Sequence, residues 1–161
     1  MAFGKTIGTV KDAVAVVAQL IDTAQNEIAF IIPPAGLGLA AQFSFLTEGA
    51  KKLVQNGGRV RGITDISYYY ANAARNLLDV GQDVRHSGEV QEVLMFVCDR
   101  KESISSINAG RQEFRLYDPL VAFWSDDESY AEYLLSTFET AWTRSIPATT
   151  RFKELADEGP P

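Results

Sequence analysis

One histidine and one cysteine occur in the chain, and both fall within residues 83–107, DVRHSGEVQEVLMFVCDRKESISSI. A lone imidazole can serve as an acid, a base or a pH-sensitive contact. Metal or haem ligation needs companions, and neither a second His nor a Cys pair nor a spaced set of carboxylates accompanies His86. His86 follows Arg85 at the end of a short strand, where open α/β sheets place ligands. It reads either as a ligand contact or pH switch, or as a turn histidine on the surface. Thr64-Asp65 closes another strand and opens a helix. That pair can meet a polar ligand at the sheet edge, or Asp65 or Ser67 can simply cap the helix. Tyr68-Tyr69-Tyr70 follows, and helical geometry turns at least one of the three outward, toward a pocket rim or a dimer interface.

Other chemistry-bearing residues read more plainly. Pro33-Pro34-Ala35-Gly36-Leu37-Gly38 lies between a strand and a helix, where phosphate-cradling loops occur. It has neither G-x-G-x-x-G nor Gly-Lys-Ser/Thr, so a turn that needs glycine is its default reading. Cys98, inside an apolar run, reads as an inert core thiol. Arg100, Lys101, Arg111 and Arg115 are adequately explained as a solvated edge. The expected ligand site gathers Pro33, Thr64, Asp65, Tyr68, Arg85, His86 and Asp99 at the C-terminal edge of a sheet.

The elements that must position these residues follow from periodicity. Val10, Ala13, Val14, Val17, Leu20, Ile21 and Ala24 recur at helical spacing, which predicts a helix over about 9–25 with Thr9 as its N-cap. EIAFII (27–32) is a buried strand stopped by Pro33-Pro34. A helix runs on to about Gln55, and Asn56-Gly57-Gly58 ends it in a left-handed turn. RVRGIT (59–64) is a strand and 67–80 a helix, followed by a short strand at 83–85. VLMFVC (93–98) is too short and too rich in β-formers for a helix, so it is a central strand covered on both faces. Its partner returns over 103–107 after a charged turn, 114–117 is a short strand or loop, and LVAFW (120–124) is another strand. A helix with Tyr130, Tyr133, Leu134, Phe138, Ala141 and Trp142 along one face comes next, and a short one over 148–156 ends the chain. This order predicts an α/β fold with a mixed, mostly parallel sheet and helices on both faces.

Composition narrows the classes. The 161 residues suit one domain with a real core, taken as 1–146, with 147–161 as an exit helix and tail that add little to it. Apolar content of 46% excludes disorder, and a net charge of −6 argues against nucleic acid or an anionic membrane as direct partner. One Cys allows no internal disulfide, and no apolar run reaches the ~18 residues of a membrane span. MAFGKTIGTV is no secretory signal, so a cytoplasmic location is expected, and the ending ELADEGPP looks like a cut end.

The residues at the strand ends carry a resemblance. Gly58-Arg59-Val60-Arg61-Gly62-Ile63-Thr64-Asp65 and Gly81-Gln82-Asp83-Val84-Arg85-His86 stand where phospholipase D folds have their G-x-V-R-x-[IL]-T and G-x-x-[IV]-R strands. Phe138-Glu139-Thr140-Ala141-Trp142, then Ile146-Pro147-Ala148 and Arg151, resembles the close of phospholipase-D-like sensory domains in prokaryotic transcription regulators and histidine kinases. Active members of that superfamily carry H-x-K-x4-D, whose His attacks phosphorus and whose Lys binds phosphate. Placing its His on Gln91 puts Val93 and Cys98 at the other two positions, and placing it on Glu92 puts Leu94 and Asp99 there. Neither register supplies the nucleophile or the lysine. The resemblance therefore implies a sensory or ligand-binding domain that is not an enzyme and needs no cofactor. It would bind a small molecule, form a homodimer and regulate a kinase or DNA-binding output module. The rival expectation is a small phosphodiesterase or nuclease with an atypical site around His86 and Asp99.

Overall fold

The computed structural model describes residues 3–106, 109–110 and 113–161. Along the chain stand β1 (Gly4–Thr9), α1 (Val10–Thr23), β2 (Glu27–Ile31), α2 (Pro34–Ala40), α3 (Ser44–Gln55) and β3 (Arg59–Thr64). After a 3-10 turn (Tyr68–Tyr70) come α4 (Ala71–Asp79), β4 (Asp83–His86), β5 (Leu94–Cys98), β6 (Glu102–Ser106) and β7 (Pro119–Ser125). The chain closes with α5 (Glu128–Arg144), β8 (Ile146–Pro147) and α6 (Ala148–Glu158).

Local chemistry explains most of these boundaries. Thr9 Oγ1 accepts the Asp12 N–H at 3.1 Å and so caps α1 as expected. Gly57, at φ +90°, makes the left-handed turn that ends α3. The single helix expected up to Gln55 is two. The N–H groups of Gln42 and Phe43 bond back to the carbonyls of Leu39 and Ala40, which tightens the turn. Phe43 then goes extended, at φ −115° and ψ 96°, before α3 begins. Residues 114–117 are loop, the second of the alternatives left open.

The eight strands lie in the order β1-β7-β6-β5-β2-β3-β4-β8. The mixed α/β sheet with helices on both faces is as expected, but its balance runs the other way. Only β2–β3 and β3–β4 are parallel; the other five of seven pairings are antiparallel. The helical connections α2–α3 and α4 generate the parallel pairs. From β4 the chain then crosses back over β3 and β2 to lay β5 antiparallel on the other side of β2. Hairpins carry it outward from there. β1, unforeseen in the sequence, is the far edge beside β7.

One sheet face is packed by α1, α2, α3, α4 and α6 around Leu20, Ile28, Phe30, Leu53, Val60, Val84 and Phe96. The other face is covered by α5, through Ala131, Leu134, Leu135 and Phe138 on Ala29, Ile31, Ile63, Met95 and Val97. β5 is buried along its whole length, as a central strand should be. The expectation that 147–161 adds little to the core needs correction. β8 pairs with β4, and Ala148 and Leu155 of α6 join the first core.

Candidate functional site

β2, β3 and β4 run parallel, so the ends of β3 and β4 bring Thr64-Asp65 and His86 to the same edge. β5 is antiparallel to β2, so it begins at this edge and ends at the opposite one. That geometry removes Asp99 from the expected site. Its carboxylate instead accepts the backbone N–H groups of Gln25, Asn26 and Glu27 at 2.9, 2.8 and 2.9 Å, clamping the entry to β2.

His86 is fixed by the loop beyond β3. The Ile66 N–H donates to His86 Nδ1 at 2.9 Å. An acceptor at Nδ1 places the proton of the neutral ring on Nε2. Asp65 Oδ1 stands 3.6 Å from the same Nδ1, and Asp65 Oδ2 accepts from Gln91 Nε2 at 2.6 Å. Asp65 is thus hydrogen-bonded to Gln91 rather than to the next helix, and it stands beside His86 without a hydrogen bond, because an accepting Nδ1 has no proton to give it. Burial, then the Arg151 guanidinium, holds the His86 pKa below its ordinary 6.5, against the opposing pull of Asp65 and Glu154. Arg151 reaches the same loop from α6, its Nε donating to the Ile66 carbonyl at 3.0 Å. Its Nη1 lies 3.6 and 3.8 Å from Glu154 and Glu158. Thr64 Oγ1, fully buried beneath this cluster, has no hydrogen-bond partner.

The remaining expected residues divide. Tyr68 is exposed on the 3-10 turn and open to a ligand or partner. Pro33 is sealed in the core, its carbonyl accepting from Leu37 N–H at the start of α2, so it contributes backbone rather than a ligand contact. Arg85 turns to the face covered by α5, donating to the Trp142 carbonyl at 3.0 Å and lying 5.0 Å from the Trp142 ring. It does not join His86. Arg61, one strand inward, stacks between Phe138 and Trp142 at 4.9 and 5.3 Å and forks onto Glu139 at 2.6 and 3.2 Å.

Sequence reasoning missed three members of the edge cluster: Gln91, Arg151 and the Ile66 peptide. Gln91 stands out in the sequence only as a motif position, and Arg151 lies 85 residues from its contact at Ile66, so no local spacing reveals it. At the positions that would carry H-x-K, Gln91 and Glu92 are exposed, Val93 is half-buried and Leu94 is core. Among the described residues no group of three or more His, Cys, Asp or Glu side chains could hold a metal ion. Arg111 of the basic cluster lies outside the described residues.

Neither a protein-family model nor a curated protein matches the chain. Solved structures do. TrmBL2, an archaeal chromatin protein whose structure shows a novel mode of DNA binding, matches 89% of this chain at 14% identity and a TM-score of 0.69. Nuc from Salmonella typhimurium, a phospholipase D family member, matches 91% at 13% identity and a TM-score of 0.67. A phosphatidylserine synthase from Haemophilus influenzae Rd KW20 matches 92% at 13% identity and a TM-score of 0.64. The chain spans 98% of Nuc but only 54% of TrmBL2 and 40% of the synthase. These likenesses establish a phospholipase-D-like fold. They also correct the expectation that the chain is not an enzyme, because a phospholipase D family member and a phosphatidylserine synthase share its architecture.

Proposed function

We propose that the chain acts on a phosphodiester, as a small phosphodiesterase or nuclease whose atypical site is built on His86 and Asp65. The observation that carries this reading is the juxtaposition of the chain's one imidazole with a carboxylate, at the C-terminal edge of the parallel strands of a phospholipase-D-like sheet. The tautomer decides the roles. An Nε2 that carries the proton has no lone pair with which to attack phosphorus, so covalent phosphohistidine chemistry is disfavoured. It can donate a hydrogen bond to a non-bridging phosphoryl oxygen as charge builds there. Asp65 is then the base. It takes a proton from the attacking water as the new P–O bond forms. The departing ester oxygen leaves from the opposite side of phosphorus and takes its proton from solvent as the old P–O bond breaks, leaving a phosphomonoester and an alcohol. Gln91 and the Ile66 peptide position the pair. The test is turnover of bis(p-nitrophenyl) phosphate and of a short single-stranded oligonucleotide. Turnover lost in His86→Ala and in Asp65→Asn is expected; none above buffer in the wild type, or turnover indifferent to both substitutions, overturns the reading.

A second reading is favoured by TrmBL2, of which nearly half lies outside the match. On this reading the chain is a ligand-binding sensory domain that regulates an attached or partner output module, as a homodimer. α6 would be the route, since Arg151 ties it to the loop that holds His86. A ligand at that edge acts on α6 only if it binds one packing of the helix better than another. Light scattering at micromolar concentration is expected to give a dimer, and a strict monomer contradicts it.

A further inference from the structure

The helix layer on the first sheet face is incomplete. α3 packs on α1, α4 leans on α2 and β4, and α3 and α4 do not pack closely on each other. Between them lies a cavity of about 390 Å³ over Ile28, Phe30, Val60 and Phe96. Its floor depends on Gly62. A Cβ there would stand 2.1 Å from the Phe30 ring, so its absence lets Phe30 lie flat on β3, stacked on Phe96 at 5.3 Å.

Gln82 is the one buried polar side chain among the described lining residues; Ser44, Thr47, Glu48, Asn76 and Asp79 are exposed or half-buried. Gln82 precedes Val84 by two residues, so strand alternation turns it to the same face. It is 6% exposed and lines the cavity. Its backbone N–H bonds to the Leu77 carbonyl at 3.1 Å, and its carboxamide is not among the described side-chain groups sealed from solvent without a partner. The carboxamide meets the solvent that fills the cavity, and an occupant that displaces this water must offer it a hydrogen bond in return. Charge narrows the occupant further. Glu48 and Asp79 stand exposed among the described lining residues, which include no Lys or Arg. An anion would enter past two carboxylates with no cation to receive it.

We propose that this cavity binds a small uncharged hydrophobe, one or two fused or linked rings in size, carrying one hydrogen-bonding group for Gln82. The volume and the mostly apolar lining with one buried polar side chain suit such a ligand. None of the seven residues expected at the sheet edge lines it, so it is a site distinct from the His86–Asp65 pair.

A matched pair of fluorophores tests this on the whole chain. N-phenyl-1-naphthylamine is neutral and carries one N–H; 8-anilino-1-naphthalenesulfonate has the same rings and an added anionic group. The neutral dye gives a saturable rise in fluorescence, and the sulfonate binds at least about tenfold more weakly. Ala73→Trp, which fills the cavity from the half-buried face of α4, abolishes the signal while the thermal melt stays cooperative. Gln82→Leu weakens binding about fivefold. Methyl NMR of the wild-type protein locates the dye without any substitution. Resonances of Ile28, Leu46 and Leu77 shift, and those of Ile63 and Leu134 under α5 do not. Absence of saturable binding, equal or tighter binding of the sulfonate, or shifts confined to the α5 face overturns the proposal.

Discussion

Asp99 accepts three consecutive backbone N–H groups from the segment that enters β2, from a left-handed turn with φ 52° at Asp99 and 62° at Arg100. Burial acts to raise its pKa, and the three donors together with Lys101 outweigh that and hold it below the ordinary 3.8. Its contribution is therefore fully present above about pH 4 and is lost as pH falls through the lowered folded pKa. Asp99→Ala strands three amides and puts a Cβ residue with no side-chain compensation in the left-handed region, so urea denaturation should show a loss of about 2 kcal/mol. His86 occupies a different pH window. Its depressed pKa means that the folded state favours the neutral ring, so its contribution stands above pH 6.5 and is lost as pH falls below that value. Melting temperature between pH 7.5 and 5.5 should fall for the wild type and fall less for His86→Gln, with Arg151, Asp65 and Glu154 unchanged around it. Cys98 is pushed up to about 12 by burial, then by Asp99 and Glu102, and donates to the Leu20 carbonyl at 3.4 Å. Ellman's reagent at pH 8 should find no reactive thiol until denaturant is added.

At the scale of elements, α5 is the helix that shields the second face of the sheet, and Phe138 is its largest fully buried side chain. Phe138→Ala should cost about 3–5 kcal/mol in chemical denaturation. Glu139→Ala should cost less, about 1 kcal/mol, because Glu139 is 47% exposed and water can take its place beside Arg61. α6 is a smaller increment, resting on Ala148, Leu155 and the Arg151–Ile66 bond. Ending the chain after Ile146 should lower the melting temperature while leaving a cooperative transition, and ending it after Thr140 should abolish that transition. Equal damage from both cuts would make α6 core outright. Elements with strong periodicity, such as α1, β5 and α5, were legible in the sequence because each buries a regular stripe or run. β1 was not, because GKTIGT buries only Ile7 and carries two glycines, so its strand state comes from pairing with β7. The site was legible in part for the same kind of reason. Strand ends are visible locally, but whether β5 runs with or against β2 is decided by the whole sheet, and that direction separates Asp99 from His86.

Across the whole molecule the two faces are unequal. Five helices cover one, and the β7 end of the other leaves Val121 73% and Phe123 40% exposed beside Tyr133 at 66%. The parallel strands end at one edge, where His86, Asp65, Gln91 and Arg151 converge, while the apolar cavity opens between α3 and α4 on the five-helix face. One property of the chain makes that edge directly accessible: His86 is its sole histidine. A ¹⁵N-imidazole NMR titration therefore reports on this ring without assignment. It should find the neutral ring protonated at Nε2, a pKa below 6.5, and a shift of the Nε2 resonance on addition of diethyl phosphate. A ring protonated at Nδ1 that titrates at or above 6.5 and ignores the diester would contradict the account.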